Sequence, residues 1–401
     1  MIYPEYVAKI IERLESRGFE AYIVGGSVRD MVIGKAPNDF DVTTSALPEQ
    51  TLEAFADFRT IPTGLKHGTV TVLSDGEPIE ITTFRIDGKY LDSRRPESVE
   101  FTDDVTADLS RRDFTVNAMA YNQARGFIDP FGGSEDIKNR IIRAVGEPCR
   151  RFDEDALRIM RAFRFSAQLG FEMEKDTLAA AGALAPKLAN IARERIGCEF
   201  IKLLCASNPL YSLELMRELG IFGYITEGYF PSTQTLSALH RAPATERIRL
   251  GIFMSECESE RMGEILKGLK LSNKLLSNTK NIAAKCATVL RGSDSDARRF
   301  IGSCGELTED VIAAATALGR IDGEFADYVK KNLQKKVCTD NRGLAVNGSH
   351  LVKIGIKGRE VGAVLSRLLE HVIEHPEDND VEILTALAEK LTETGGANDI
   401  R

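Results

Sequence analysis

The stretch Asn38-Asp39-Phe40-Asp41-Val42 sets two carboxylates two residues apart around an aromatic side chain. In an extended strand, residues i and i+2 share a face about 6.5 Å apart, so Asp39 and Asp41 are expected to point one way with Phe40 buried behind them. Carboxylates that close repel unless a cation lies between them. A hard divalent ion such as Mg²⁺, held by one or two carboxylates and by phosphate oxygens, meets that need; a plain acidic pair on the surface would use the same residues. Upstream, Gly25-Gly26-Ser27-Val28-Arg29-Asp30 lies between an apolar strand-like run and a helical one. Glycines there let the backbone approach a phosphate at a helix N-terminus, although helix starts use glycine in any case. Strand, Gly-Gly-Ser, helix and Asp-x-Asp in that order are more specific than either part alone. Glu80, between Ile79 and Ile81, is either a third carboxylate from a neighbouring strand or an exposed strand residue.

A second group of charges follows in Glu154-Asp155-Ala156-Leu157-Arg158. On a helix Asp155 and Arg158, three apart, project from one side, where they could work on a ligand or pair with each other. Arg161 would lie about a third of a turn from Asp155 and Arg164 about half a turn, so the four cannot meet on one small group. Arg161 and Arg164 are therefore expected to reach a phosphate or a sugar, or to serve packing between domains.

The elements that must position these residues can be read from periodicity. Val7, Ile10, Ile11 and Leu14 mark an amphipathic helix, and Ala21-Tyr22-Ile23-Val24 a short strand. Val28 to Ile33 reads as a second helix, stopped by Gly34 and Pro37. Phe40-Asp41-Val42, Thr69 to Leu73 and Ile79 to Phe84 read as strands, with β-branched residues at period two. Beyond about residue 135 strand signals nearly vanish and helical periodicity dominates, with Gly or Pro breaks near 170, 186, 209, 220 and 231. The expected fold is an α/β N-terminal domain, a mixed sheet with helices, followed by all-α domains. Asp87-Gly88-Lys89-Tyr90-Leu91-Asp92-Ser93-Arg94-Arg95-Pro96 reads as a mobile loop.

Composition narrows the function classes. The 401 residues are 43% hydrophobic and 28% charged, with a net charge of −8, which excludes a disordered chain and a protein that coats nucleic acid by net charge. The seven scattered cysteines include no C-x-x-C pair and are expected to be reduced thiols rather than a disulfide framework or zinc site. No apolar run approaches the ~18 residues of a membrane span, and acidic residues from Glu5 onward argue against a signal peptide, so a cytoplasmic protein is expected. Against the acidic total, residues 137–168, 261–280 and 330–359 carry net charges of +4, +4 and +7. Such segments can be solvated helix faces or discrete phosphate contacts; Lys267, Lys270, Lys335 and Lys336 are the candidates for such contacts.

The ordered combination is decisive. G-G-x-V-R-D, D-x-D, Arg111-Arg112-Asp113-Phe114-Thr115-Val116-Asn117-Ala118, and Glu154-Asp155-Ala156-Leu157-Arg158 together resemble a class II tRNA nucleotidyltransferase of the bacterial type, in the tRNA nucleotidyltransferase/poly(A) polymerase family. The resemblance extends through Ile61 to Val70, Arg193-Glu194-Arg195-Ile196 and Val346-Asn347-Gly348-Ser349-His350-Leu351, nearly the full chain. It implies a catalytic head at 1–136, a neck with a base-reading motif at 137–205, a body at 206–285 and a tRNA-binding tail at 286–401. It implies addition and repair of the 3′-terminal CCA of tRNA from CTP and ATP, with Mg²⁺ as cofactor and no nucleic-acid template.

Residue by residue, the resemblance implies metal binding by Asp39 and Asp41 and contacts of Gly26 and Arg29 with the incoming nucleotide. It assigns the ribose to Arg112 and Asp113, the base to Asp155 and Arg158, and further nucleotide contacts to Arg161 and Arg164, with Glu154 buttressing the helix. A loop at Asp87–Pro96 is what full CCA-adding enzymes have and CC-only enzymes lack. His67, before a strand, is expected to be a hydrogen-bonded loop residue, with contact to a triphosphate as the alternative. Other readings are a poly(A) polymerase, an enzyme adding only CC or A, and, from a different class, a non-catalytic tRNA-binding protein; the last would be expected to lack the carboxylates.

Overall fold

The computed structural model describes residues 1–88 and 99–394. It forms two compact units, the first made of residues 1–230 with 265–271, the second of residues 231–264 and 272 onward.

The first unit is built on a seven-stranded mixed sheet. In chain order its strands are β1 (Ala21–Val24), β2 (Asp41–Thr44), β3 (Arg59–Gly64), β4 (Thr69–Ser74) and β5 (Glu77–Thr83), then, after a separate two-stranded ribbon of β6 (Arg85–Asp87) and β7 (Val99–Phe101), β8 (Ala120–Asn122) and β9 (Gly126–Ile128). The spatial order is β3-β4-β5-β2-β1-β8-β9, with β2 and β5 parallel and the other neighbours antiparallel. The helix Glu5–Ser16 buries Val7, Ile10, Ile11 and Leu14, the stripe its periodicity predicts. Strands β3, β8 and β9 carry weak sequence signals. β3 holds Pro62, which a sheet tolerates at an edge, and β3 is an edge strand with a register shift between Ile61 and Gly64. β8 and β9 are three residues each, too short for alternation to show.

Tyr22 and Val24 of β1, Phe84, Ala118 and Ala120 pack against Val105 and Leu109 of the helix Val105–Ser110. That packing fixes the Arg111-Arg112-Asp113 segment close to the central strands. Beyond β9 the first unit is helical apart from a two-residue parallel pairing, Ile141–Ile142 with Glu172–Met173. Pro148 opens the helix Pro148–Glu154, a break follows at Asp155, and Leu157–Leu169 runs on to Gly170 in the left-handed conformation.

The second unit is all-helical among the described residues. Val346, Leu351, Val364, Leu368, Val372, Leu384 and Ala388 form one core, and Ala297, Ile301, Phe325 and Val329 another. All seven cysteines are free thiols, and no described helix is long and apolar enough to cross a membrane.

Candidate active site

β1 delivers the chain into Gly25, whose φ of 74° and ψ of −128° only glycine adopts without strain, and the helix Gly26–Ile33 starts at the next residue. A Cβ on Gly25 would stand 3.1 Å from Arg112 Nη1, so the turn and this guanidinium are in close contact. Gly26 makes a looser fit, its would-be Cβ 3.5 Å from Arg29 Nη2. Gly25 is thus the more demanding of the two glycines, a point visible only in the backbone angles.

Phe40 is buried against the edge of Tyr6, 6.3 Å between ring centroids, and leaves Asp39 and Asp41 exposed on either side. The expected single strand is corrected in one respect. β2 begins at Asp41, and Asp39 lies just ahead of the strand, because the antiparallel pairing with β1 ends at the Val24–Asp41 pair. Asp41 stands opposite Glu80 in the parallel β2–β5 pairing, so these two exposed carboxylates share one face. Although solvent reaches Asp41, crowding by the surrounding protein, then the charges of Glu80 and Asp39, push its pKa up to about 6, against the pull of Arg112. A site with three acids and one opposing arginine is short of positive charge, which suits a divalent cation. Among the described residues no trio of acidic, histidine or cysteine side chains is already gathered around one point.

Beside this cluster runs a connected network. Arg29 is buried; it donates from Nη1 to Asn117 Oδ1 at 2.7 Å and from Nε to Asp30 at 2.9 Å. Asn117 Nδ2 donates to Asp113 Oδ1 at 3.2 Å, and Arg161 donates to Asp113 Oδ2 from Nε at 2.8 Å and Nη2 at 2.6 Å. Burial raises the Asp113 carboxyl, but the adjacent Arg161 and the Asn117 amide outweigh it and bring it down to about 2. Arg164 Nε pairs with Glu199 at 2.5 Å and its guanidinium lies 3.9 Å from the centre of the Phe165 ring. Arg29 and Arg161 flank the same ring at 5.5 and 5.2 Å, and its edge meets Phe114. Arg161 and Arg164 thus tie the helix Leu157–Leu169 to the sheet domain and to the helix Arg193–Leu204.

Asp155 and Arg158 do not share a helix face as expected. Asp155 is the extended residue between two helices; its Oδ1 accepts the Leu157 N–H at 3.0 Å, and an extended residue that caps the next helix cannot itself be helical. Nor do the two pair with each other. Asp155 Oδ2 accepts from Arg195 Nη2 at 3.0 Å, whereas Arg158 donates to Glu154 Oε2 at 2.8 Å and to the carbonyls of Arg151 and Arg111 at 3.0 and 3.1 Å. Glu154 also accepts from Arg151 at 2.8 Å, so it joins the arginines on either side of the break.

Arg112 is half-buried; among the described residues it pairs with Asp108 at 3.4 Å, and its Nε is buried without an acceptor. Asn117, Arg195 and Glu199 are functional candidates that sequence reasoning left without a role, and Asp108 was passed over. Arg195 and Glu199, four apart on one helix, carry a weak spacing signal, as does Asp108, three and four residues before Arg111 and Arg112. His67 sits exposed in the turn Leu65–His67, and among the described residues its ring has no hydrogen-bond partner; only its carbonyl is used, by Arg85. That departs from expectation because the turn faces solvent and offers the ring no acceptor. Lys267, Lys270, Lys335 and Lys336 are exposed and make no ion pair among the described residues, and Lys270 and Lys336 have positive φ. Residues 89–96 of the expected loop lie outside the described residues.

Comparison with known proteins bears on this geometry. The model for the poly A polymerase head domain matches residues 21–143, and that for a probable RNA and SrmB-binding site of polymerase A matches residues 170–232. CCA-adding enzymes of Ligilactobacillus salivarius and Geobacillus kaustophilus are each 37% identical, over 394 and 389 residues, covering 96% and 95% of this chain and 96% of each relative. The chain belongs to the CCA-adding enzyme family. Members of this family are nucleotidyltransferases that act on tRNA, so the chain is an enzyme of that class. The crystal structure of the Bacillus stearothermophilus CCA-adding enzyme in complex with CTP superposes with a TM-score of 0.85 at 33% identity, covering 98% of this chain and 99% of that one. The Thermotoga maritima CCA-adding enzyme complexed with tRNA shares the fold, with a TM-score of 0.68 at 20% identity over 97% and 96% of the two chains.

Proposed function

We propose that this enzyme adds and repairs the 3′-terminal CCA of tRNA, using CTP and ATP and no nucleic-acid template, in the cytoplasm. The observation that carries the reading is the Asp41–Glu80 pair, with Asp39 beside it, next to a glycine turn against which Arg112 is packed. The tRNA 3′-hydroxyl attacks the α-phosphate of the nucleotide and pyrophosphate leaves. Asp39 and Asp41, joined by Glu80, would hold two divalent cations, Mg²⁺ by the hardness of the oxygen ligands. When bound, such ions lower the pKa of the attacking hydroxyl and neutralise charge on the leaving group.

This chain's own residues supply position and selection. The backbone N–H groups at the start of the helix Gly26–Ile33 receive the triphosphate, with Arg29 as their neighbouring cation. Arg112 and Asp113 recognise the ribose. Asp155 accepts from the exocyclic amino group that cytosine and adenine share, and Arg158 donates to the adjacent ring nitrogen; uracil and guanine reverse both groups and leave them unpaired. Arg161 and Arg164 keep these groups in place through Asp113 and Glu199. Lys267, Lys270, Lys335 and Lys336 bind acceptor and TψC arm phosphates by charge and shape, without reading sequence.

The test offers tRNAs ending before CCA, after C and after CC, each with CTP, ATP, UTP or GTP alone and with CTP and ATP together, and sequences the products. The reading expects C, C and A in order, then arrest. A long A tail would make the protein a poly(A) polymerase, arrest after CC or inability to add C a partial enzyme, and no extension a non-catalytic tRNA-binding protein.

A further inference from the structure

Asp108 belongs to neither the acidic cluster nor the base-reading segment. It sits on the helix Val105–Ser110 with its carboxylate fully buried. Oδ1 accepts Arg111 Nε and Nη2 at 2.9 and 2.8 Å and the backbone N–H of Arg85 at 3.3 Å. Oδ2 accepts the Thr43 hydroxyl at 3.3 Å and faces Arg112 Nη2 at 3.4 Å. Thr43 is two residues beyond Asp41 on β2, and Arg85 begins β6. One carboxylate therefore ties together the strand that carries Asp41, the guanidinium packed on the Gly25 turn, and the strand leading to residue 88.

A buried carboxylate persists in its charged form only where cations and donors surround it. Burial pushes Asp108 up, yet Arg112 and Arg111 outweigh it and hold the carboxyl below its ordinary value. Among the described residues Arg112 Nε is buried with no acceptor, while the side chain as a whole keeps part of its surface exposed. The exposed part of the guanidinium is where a ligand oxygen can be met, through a charge-assisted hydrogen bond.

We propose that Asp108 is the positioning residue for sugar selection: it fixes Arg112 against the Gly25 turn, holds the exposed part of its guanidinium as the donor for a ribose hydroxyl, and links that donor to the strand of Asp41. The proposal rests on the reading of Arg112 as the ribose contact. Asp108→Asn keeps the shape and removes the charge that holds two arginines. A site built to hydrogen-bond a hydroxyl discriminates strongly against the analogue that lacks it, so loosening its donor erodes that discrimination.

The experiment measures kcat and KM for CTP and dCTP on tRNA lacking CCA, using the full chain as wild type, Asp108→Asn, Arg112→Lys, the double variant and Thr43→Val, with Tm for each. Asp108→Asn is expected to cut the preference for CTP over dCTP about tenfold or more, chiefly through a higher KM for CTP. The double variant should be no worse than Arg112→Lys, because the two residues act as one unit. Thr43→Val, which removes one hydroxyl from Asp108, should shift the preference the same way by a smaller factor, and it decides the matter if Asp108→Asn does not fold. An unchanged preference in Arg112→Lys would overturn the ribose reading and this proposal with it. Loss of preference in Arg112→Lys, with Asp108→Asn and Thr43→Val changing only Tm or scaling both sugars alike, would overturn the positioning role alone.

Discussion

Replacing Asp113 by Asn tests whether the network between the sheet domain and the following helices carries the energy its geometry suggests. The Asp113 carboxyl stands at about 2 instead of its ordinary 3.8. At about 1.36 kcal/mol per tenfold change in proton affinity, the folded state favours the ionised form by roughly 2 to 3 kcal/mol. The Arg161 side chain is 34% exposed, so solvent screening trims this towards about 2 kcal/mol. Glu199, 3.9 Å from Arg161, can take up part of the abandoned charge. A carboxyl whose folded pKa is depressed contributes fully above its unfolded pKa and loses the contribution as pH falls through the folded value. The stability gap between wild type and Asp113→Asn should therefore be flat from pH 8 to about 5 and shrink to roughly half near pH 3. With no tryptophan in the chain, urea unfolding followed by circular dichroism at 222 nm is the suitable assay. A gap below about 0.5 kcal/mol at pH 7, or one that widens on acidification, would refute the assignment of this stabilisation to the Asp113–Arg161 pair.

Other perturbations separate chemistry from binding. Asp39→Ala or Asp41→Ala should lower turnover by several orders of magnitude with tRNA affinity nearly intact, measured by single-turnover extension and filter binding; retention of more than about a tenth of the rate would reject the metal assignment. Asp155→Asn should relax selection against UTP, because a rotated amide can donate to the uracil oxygen; a CTP to UTP incorporation ratio equal to wild type in an active variant would show that Asp155 does not read the base. Replacing Lys335 and Lys336, or Lys267 and Lys270, by Ala should weaken tRNA binding and flatten its log–log salt dependence by roughly 0.7 to 0.9 per lost phosphate contact; unchanged slopes would return these lysines to solvated surface.

Local order in the chain was enough for the parts of the site that neighbours in sequence build. The stripe of Val7, Ile10, Ile11 and Leu14, the strand Ala21–Val24, the glycine turn and the buried Phe40 between two exposed aspartates follow from period, glycine and alternation, all short-range properties of the backbone. Only the tertiary structure decided which charge meets which. Asp155 chose Arg195, forty positions on, over Arg158, because the chain breaks its helix at Asp155 and turns the carboxylate to cap the next one. Asp113 chose Arg161, and Asp108, whose spacing to Arg111 and Arg112 is local, met Thr43 and the Arg85 N–H only once Val105 and Leu109 packed its helix onto the sheet. The partners of Asp113 and Asp155 are set by which distant surfaces hydrophobic packing brings within about 3 Å, and residue spacing along the chain does not encode that distance.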